Sequence, residues 1–305
     1  MASLLLKRAL HGVAVIWVVA TLTFALLRLA PGGPFDSERR LPPEVIANLA
    51  AKYHLDEAIW RQYLRYLTGI ALGDFGPSYK YLDRGVSEII RETLPTSALL
   101  GAMAILFALL VSFPFGLCAA YYRDSAIDRI CMLTTTLGIS LPSFLLGAFL
   151  IWLVALQLGW LQAGRWDTWM SAVLPTVTLG AAPAAYLTAL LRSTLIESFG
   201  EDFVRTARAK GLKESVVVIK HALSHSLIPV LTVMGPLTAA LLTGSFVVEF
   251  VFAIPGMGRF FITAVTDRDY PLIMGVTLVY TALLVCTNLI VDLLYTVVDP
   301  RIRAH

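Results

Sequence analysis

Six long apolar stretches constrain this chain more than any other feature of its sequence. Each is about as long as the roughly 20 residues that a helix needs to cross a bilayer, or longer. They cover approximately residues 9–30, 96–121, 130–158, 172–191, 228–252 and 272–298. The first stretch is too long for the apolar part of a secretory signal, and no convincing A-x-A cleavage site follows it. We therefore predict six membrane-spanning helices, the first of which is retained.

The composition excludes most classes of soluble protein. Hydrophobic residues make up 57% of the chain and charged residues only 15%, against about 45–50% and 25% in ordinary soluble domains. A soluble fold of this composition would expose large apolar patches to water. No basic run of the kind that binds nucleic acid is present, so no nucleic-acid partner is expected. The three cysteines show no paired spacing, which argues against a disulfide framework or a zinc site.

The basic residues of the connecting segments predict the orientation in the membrane. If the N-terminus is inside, the short outer loops hold only Arg165, Arg259 and Arg268. The predicted inner segments hold Lys7, Arg8, Arg123, Arg129, Arg192, Arg205, Arg208, Lys210, Lys213, Lys220, Arg301 and Arg303. Since inner loops carry an excess of Lys and Arg, we predict that both termini are cytoplasmic.

The long segment of about residues 31–95 is predicted to be a partly helical outer loop. Pro42 and Pro43 suit the start of one helix, and Asp56 is expected to cap a second helix that ends near Gly73. Residues 74–78 are typical of a turn. The loop is either a lid on the outer ends of the spans or a docking surface for an extracytoplasmic partner, and the two roles are compatible. Residues 1–95 thus form one region, and residues 96–305 a five-span core.

The inner segment of about residues 192–227 is polar but helical in pattern. One helix is predicted over 198–210, where Gly211 can adopt the left-handed conformation that ends a helix, and a second helix over about 213–226. Two short helices with a glycine break form a compact knob, which could fill a groove in a soluble protein and pass its movement to the spans. The alternative is an amphipathic helix on anionic lipid, but the mixed charge argues against a purely lipid-binding face.

Ionisable residues are almost absent from the predicted spans. Arg28, Glu249 and Asp292 lie near predicted ends, where either snorkelling or interfacial exposure is possible. The lack of a deep charged relay weakens the case for an ion-coupled secondary transporter but leaves that class open. Small residues four apart predict close helix packing; the pairs are Ser97 with Gly101 and Gly180 with Ala184. Prolines within the spans, at positions 114, 142, 183 and 236, mark either packing kinks or a polar-lined pathway.

Residues 202–211 (DFVRTARAKG), with 221–223 (HAL) and 227–229 (LIP), resemble the cytoplasmic coupling loop of ABC-importer permeases in its oligopeptide and dipeptide form. The general family pattern is E-A-A, three residues, then Gly. Ala207 and Gly211 match that pattern, whereas Arg205 and Thr206 replace the Glu and the first Ala, as is usual in the peptide branch. The resemblance assigns ATPase coupling to Arg205, Thr206, Ala207, Arg208, Ala209, Lys210, Gly211 and Leu212.

Further motifs extend the resemblance over nearly the whole chain. Residues 244–249 (GSFVVE) and the following loop are similar to the outer segment after the fifth span, and 268–271 (RDYP) and 298–301 (VDPR) add to the likeness. Residues 73–78, together with the large outer loop, resemble the first of the two permease subunits of peptide systems. The resemblance gives four candidates for the outer loop or gate, namely Glu249, Pro255, Gly256 and Gly258.

The resemblance implies an all-α inner-membrane permease subunit of an ATP-driven importer of peptides, with oligopeptides first. Its implied partners are a homologous second permease, two cytoplasmic ATPase subunits that bind ATP and Mg²⁺, an extracytoplasmic solute-binding protein and the bilayer. The chain contains no G-x-x-x-x-G-K-[ST] motif, so we expect neither a cofactor nor catalysis of its own. His221 and His225 lack the further ligands that a metal site needs.

Alternatives to oligopeptide import remain open at this point. Within the family the cargo could be dipeptides, cell-wall or antimicrobial peptides, or nickel chelates. Outside the family, the alternatives are a secondary carrier, for which the inner loop is only a surface helix, and a membrane scaffold that recruits a cytoplasmic protein through that loop.

Overall fold

The protein is described by a computed structural model that covers residues 2–31, 33–35, 44, 48, 51–81, 83–164, 166–242 and 246–298. Helices make up nearly all of its regular structure in these ranges. They are α1 (Ala2–Leu29), α2 (Ile59–Leu72), α3 (Val86–Tyr121), α4 (Ala126–Ser140), α5 (Ser143–Leu150), α6 (Trp169–Gly200), α7 (Asp202–Ala209), α8 (Glu214–Val216), α9 (Ser224–Leu242), α10 (Phe246–Val251), α11 (Met257–Asp267) and α12 (Tyr270–Val298). Two π-helical segments, Ile151–Gln157 and Val217–Leu223, continue α5 and α8.

The predicted all-helical membrane class is confirmed. Among the described residues, five helices are long and apolar enough to span a bilayer, and a sixth span results if one bent helix pair counts as a single crossing. The five run over Lys7–Leu29, Val86–Tyr121, Trp169–Gly200, Glu214–Val251 and Tyr270–Val291. The assignment of each loop to the inside or the outside stays a prediction.

The predicted span over 130–158 consists of two helical parts and bends sharply at the predicted proline break. The chain bends by 106° between Ala126–Ser140 and Ser143–Gln157. Leu141 has φ −83° and ψ 121°, the extended conformation that a residue before proline prefers. Pro142 has no N–H to continue the hydrogen-bond ladder, so α4 ends and α5 starts in a new direction. Pro142 therefore breaks the helix, whereas Pro175 and Pro183 lie inside the continuous helix α6.

The chain divides into two compact units. The first contains residues 1–96 and 255–285, and the second contains residues 97–254 and 286–305. In the first unit, Val86 and Ile89 at the start of α3 pack with Met257, Leu272 and other apolar residues of α11 and α12. The helix thus starts ten residues before the apolar stretch predicted from Thr96, because its first turns are buried against protein.

A buried carboxylate organises the first unit around the start of α12. Asp269 is fully buried and accepts hydrogen bonds from the Ser78 hydroxyl, from the backbone N–H of Tyr79 at 3.1 Å and from that of Leu272 at 3.3 Å. The Leu272 bond is a helix cap, and the other two tie the segment before α3 to the same carboxylate. This contact gives the RDYP motif a structural role that its sequence did not reveal.

Two predicted features of the outer loop are confirmed, one is wrong, and one lies outside the described residues. Gly73 ends α2 in the left-handed conformation at φ 72°, as predicted. The Asp74 carboxylate accepts from the Gly76 N–H at 2.9 Å, which confirms the predicted turn. The prediction that Asp56 caps α2 is wrong: the capping position is Ala58, with no side-chain bond. The predicted helix start at Pro42–Pro43 lies outside the described residues.

In the second unit, α6 is the central helix. Leu187, Leu191 and Leu195 are fully buried along it, and α4, α5 and α9 pack on it. Close backbone approaches confirm the predicted small-residue packing. A Cβ atom added at Gly101 would lie 2.2 Å from the carbonyl oxygen of Leu241, and one at Gly180 would lie 2.8 Å from that of Ala104. Glycine therefore lets these helices meet at backbone distance.

Candidate coupling site

The inner segment folds back on itself immediately after α6. Helix α6 continues to Gly200, past the predicted end of the fourth span at residue 191. Glu201 is extended (φ −74°, ψ 151°) and separates α6 from α7, so the single helix predicted over 198–210 is interrupted there. After this break, α7 buries its apolar side in the core. Gly211 has φ +71° and ends the helical turn after α7, as predicted.

Helix α7 is anchored by two side chains on one face. Val204 and Ala207 are buried in a cluster with Leu195 of α6 and with Val217 and Ala222 of the following π-helical segment. That segment leads directly into α9. Helix α7 therefore packs against the continuations of two membrane-spanning helices, α6 and α9. Ala207, which matches the family pattern, is therefore a packing residue, and its small size allows the close approach.

The opposite face of α7 and the turn that follows it are exposed. Of the eight residues predicted to couple to an ATPase, all except Ala207 are exposed: Arg205, Thr206, Arg208, Ala209, Lys210, Gly211 and Leu212. The exposed face is polar and basic, and Leu212 adds an apolar side chain that is 41% exposed. This face has the combination of charge and apolar area that a protein groove can bind.

Arg208 fixes the geometry of the turn around Gly211. Its guanidinium donates to the two carboxylate oxygens of Glu214 at 2.7 and 3.3 Å, and it lies 5.8 Å from the centre of the Phe199 ring. The bond to Glu214 raises the pKa of Arg208, so the pair is ionised at any physiological pH. Arg205 makes a longer contact of 3.5 Å with Asp202, which is almost fully exposed. Arg208 is therefore held in place, while Arg205 is free to reorient.

A polar contact joins α6 to α9 behind α7. The hydroxyl groups of Ser198 and Ser226 are 2.9 Å apart, and Ser226 also donates to the carbonyl of Ala222. His225 packs its ring 5.3 Å from that of Phe203 and lies beside a small cleft of about 190 Å³. In the described part of the chain, no group of three or more His, Cys, Asp or Glu side chains is placed to hold a metal ion.

Sequence reasoning missed a two-point ion pair of the second unit. Arg192 on α6 donates from Nε and Nη2 to the two oxygens of Asp128 on α4, each at 2.7 Å. Asp128 also accepts from the backbone N–H of Asp124 at 3.0 Å, and its side chain is only 5% exposed. The available signal was local: the spacing of Ser125 and Asp128 is that of a helix-capping motif, and the Ser125 hydroxyl accepts from the Asp128 N–H.

Glu249 lies inside the protein and is not exposed at an interface. Glu249 on α10 is fully buried, and the Ser97 hydroxyl donates to its Oε1 at 2.7 Å. Both residues belong to the second unit. The other gate candidates belong to the first unit, where Pro255 is exposed and Gly256 and Gly258 are buried. Residues 244–245 and 299–301 of the quoted motifs, and the side chain of Asp292, lie outside the described residues.

Two family models together match almost the whole chain. The model described as "Binding-protein-dependent transport system inner membrane component" matches residues 112–304. The model of the N-terminal part of such membrane components matches residues 1–100. The two matched segments divide within α3, near the boundary between the two units.

Curated relatives are similar over their full length. The chain is 42% identical to the oligopeptide transport system permease protein OppB of Haemophilus influenzae, over 99% of this chain and 100% of that protein. It is also 42% identical to the dipeptide transport system permease protein DppB of Bacillus subtilis, over 100% and 99% of the two chains. The oligopeptide permease OppB of Escherichia coli K12 is 40% identical over a similar extent.

One solved structure shares the fold. It is a chain of the MetNI methionine ABC transporter in an inward-facing conformation, which matches with a TM-score of 0.55 and covers 69% of this chain and 96% of its own. At 17% sequence identity, the likeness bears on the fold alone.

Proposed function

Because this chain belongs to the family of binding-protein-dependent transport system inner membrane components, we propose that it is the permease subunit of an ATP-driven importer of peptides, with oligopeptides first. The names of its full-length relatives, which are oligopeptide and dipeptide permeases, support this cargo class. The subunit forms half of the translocation pathway, and a homologous second permease supplies the other half.

The observation that carries the proposal is the anchoring of α7. A partner that presses on its exposed face moves Val204 and Ala207, and these share one packed cluster with α6 and with the π-helical segment before α9. Since packed side chains resist compression, the displacement passes to both helices. The ion pair between Arg192 and Asp128 extends the same connection to α4. The closure of two cytoplasmic ATPase subunits is thereby converted into rocking of the spans.

In this proposal the chain itself catalyses no reaction. The ATPase subunits bind ATP and Mg²⁺, and an extracytoplasmic solute-binding protein delivers the peptide to the outer loops. Residues 1–95 supply the first span and the outer loop, and residues 96–305 supply the five-span core. Both termini are cytoplasmic, and the outer gate includes Glu249, Pro255, Gly256 and Gly258. Arg205 and Lys210, exposed beside the held Arg208, meet acidic groups of the ATPase.

Affinity purification of the tagged chain from native membranes in mild detergent tests the proposed assembly. We expect mass spectrometry to identify a second permease, P-loop ATPases and, in part of the preparation, a solute-binding protein. Recovery of this chain alone, also after chemical crosslinking, would contradict the proposal and would favour a secondary carrier.

Uptake of labelled oligopeptides tests the coupling mechanism. We expect uptake to require ATP and to persist when a protonophore collapses the proton gradient. Gly211→Pro should abolish uptake while the ATPases still co-purify, because proline cannot adopt the positive φ of residue 211. If the variant retained uptake at the wild-type rate, α7 would not be the coupling element.

A further inference from the structure

The first unit contains a cleft that the transport proposal does not use. It has a volume of about 480 Å³ and is formed by the end of α1, by α2, by the segment before α3 and by the start of α12. We refer to it as the N-terminal cleft. Its size is in the range of sites that hold small organic molecules, and five Phe and Tyr side chains line it.

The cleft carries an excess of positive charge. Arg28 and Lys52 line it, and within the described residues neither has a carboxylate at ion-pair distance. Instead, the Arg28 guanidinium lies 5.2 Å from the ring centre of Phe24, and the Lys52 ammonium lies 5.6 Å from that of Tyr53. Two cations on the wall of a concave, aromatic site attract an anionic group.

The remaining charges of the cleft nearly balance one another. His54 and Arg65 both contact the Glu57 carboxylate, at 3.3 and 2.8 Å. The Asp74 carboxylate also lines the cleft, but one of its oxygens is already held by the backbone N–H of the following turn. Arg28 and Lys52 are therefore the cations that remain for a ligand.

Two buried polar atoms of the cleft have no partner. Gln62 Oε1 and the Tyr66 hydroxyl are inaccessible to solvent and make no hydrogen bond within the described structure. The amide nitrogen of Gln62 donates to the carbonyls of Leu55 and Glu57, so the unpartnered atom of this side chain is an acceptor. Burial raises the pKa of Tyr66, which keeps its hydroxyl protonated and able to donate. A matching ligand combines an anion with a hydroxyl or N–H donor.

The position of the cleft along α1 indicates where such a ligand comes from. Phe24 and Arg28 lie in the last turns of the candidate span Lys7–Leu29. At 1.5 Å per residue, both are within about 8 Å of the end of the helix. The polar layer on each side of the hydrocarbon core is about 5–8 Å thick, so a bilayer crossed by this span would place the cleft near the boundary between the hydrocarbon core and the headgroups.

The exposed side of α2 suits contact with a bilayer surface. Ile59, Trp60 and Leu64 are each more than half exposed, and Leu72, at the rim of the cleft, is 84% exposed. A helix that leaves these residues uncovered while it places polar groups in the cleft resembles an interfacial helix. Acyl chains would cover its apolar side while the headgroup enters the cleft.

We propose that the N-terminal cleft binds the headgroup of an anionic glycerophospholipid that carries free hydroxyl groups. Arg28 and Lys52 hold the phosphate, the Tyr66 hydroxyl donates to it, and a headgroup hydroxyl donates to Gln62 Oε1. A choline headgroup carries the same phosphate but no hydrogen-bond donor for Gln62. Its quaternary ammonium is also repelled by the two cations, Arg28 and Lys52. The cleft therefore selects phosphatidylglycerol over phosphatidylcholine.

Native mass spectrometry of the purified full-length chain in neutral detergent tests this assignment. Phosphatidylglycerol, phosphatidylcholine and soluble glycerol 1-phosphate are titrated separately. We expect phosphatidylglycerol to bind at least tenfold more tightly than the other two. Arg28→Gln and Tyr66→Phe should each weaken its binding by about tenfold, because each removes one bond to a charged group.

Arg61→Gln is the matched control. It removes the same charge from exposed α2, where Arg61 stacks on Trp60 outside the cleft, and should leave binding within twofold of the wild type. Tyr66→Phe keeps the aromatic ring, so we expect the variant to fold. An unchanged melting temperature would show that its weaker lipid binding does not come from misfolding. Equal binding of phosphatidylcholine, or an equal effect of Arg61→Gln, would overturn the proposal. Tight binding of glycerol 1-phosphate would show that the ligand is a soluble anion and would overturn the lipid assignment.

Discussion

Arg192 and Asp128 form a two-point ion pair in which the guanidinium Nε and Nη2 each lie 2.7 Å from a carboxylate oxygen. The pair joins α6, which leads into α7, to α4, the first half of the bent helix pair. Both side chains are mostly buried, at 24% and 5% exposed. A rigid contact of this kind fixes the rotation of one helix against the other, which a single apolar contact would not do.

Arg192→Ala should destabilise the protein by about 3 kcal/mol, because it leaves the Asp128 carboxylate buried without its counter-charge. Thermal melting of the purified chain measures the loss. Arg192→Lys should recover only part of it, since an ammonium group cannot reproduce the two parallel bonds. The control is Arg129→Ala, which removes an exposed charge from α4 and should change stability by less than about 0.5 kcal/mol. Similar losses for positions 192 and 129 would contradict this interpretation.

Gly211→Ala should cost about 1 kcal/mol through backbone strain alone. A Cβ at position 211 meets no atom within 4 Å, so the penalty comes from its φ of +71°. Gly200→Ala is the matched control, because position 200 is equally open but lies within helix α6, where alanine is favoured over glycine. The two variants should therefore shift the melting temperature in opposite directions. A shift of the same sign in both would argue against the strain at Gly211.

Glu249→Ala should destabilise the protein by about 2–3 kcal/mol, since it removes a buried acceptor of the Ser97 hydroxyl and leaves a cavity. Glu249→Gln should cost less, because the amide oxygen still accepts from Ser97. If the negative charge at Glu249 itself serves the gate, Glu249→Gln will lower peptide uptake more than it lowers stability. Exposed Glu197→Ala is the control and should leave the melting temperature almost unchanged.

Gly101→Ala should destabilise the second unit more than Gly116→Ala, although both change the same helix, α3. The added Cβ at position 101 meets the backbone of Leu241 at 2.2 Å, so α3 and α9 must separate. At position 116 the nearest atoms belong to the Leu191 side chain at 3.0 Å, so the overlap is smaller than at position 101. We expect a loss of about 2–3 kcal/mol for Gly101→Ala and about 1 kcal/mol for Gly116→Ala, measured by thermal melting. The reverse order would contradict the packing described for α3 and α9.

Several features of the fold could be predicted because they depend on short stretches of chain. The apolar stretches identified the spans, and Gly73 and Gly211 marked helix ends where a left-handed residue is needed. The helix ends themselves were harder to predict. Helices α3 and α6 extend beyond their apolar stretches, because one side of each extension is buried against protein.

The sequence predicted which segment forms the candidate coupling site, but not which of its side chains are buried and which are exposed. The pattern of residues 202–211 identified α7, yet only the fold shows that Ala207 is buried while its neighbours are exposed. The exposed face and the anchoring face are opposite sides of the same short helix, and their assignment depends on which neighbours α6 and the π-helical segment bring close. No local pattern contains that information.

The sequence by itself determined that this chain is an all-helical membrane protein with a polar helical knob, since apolar length and helix-ending glycines act locally. Only the tertiary structure decided which charged groups meet. Arg192 and Asp128 are 64 residues apart, and Ser97 and Glu249 are 152 residues apart. Each contact exists because a buried charge must find a partner wherever the packing of distant helices places one.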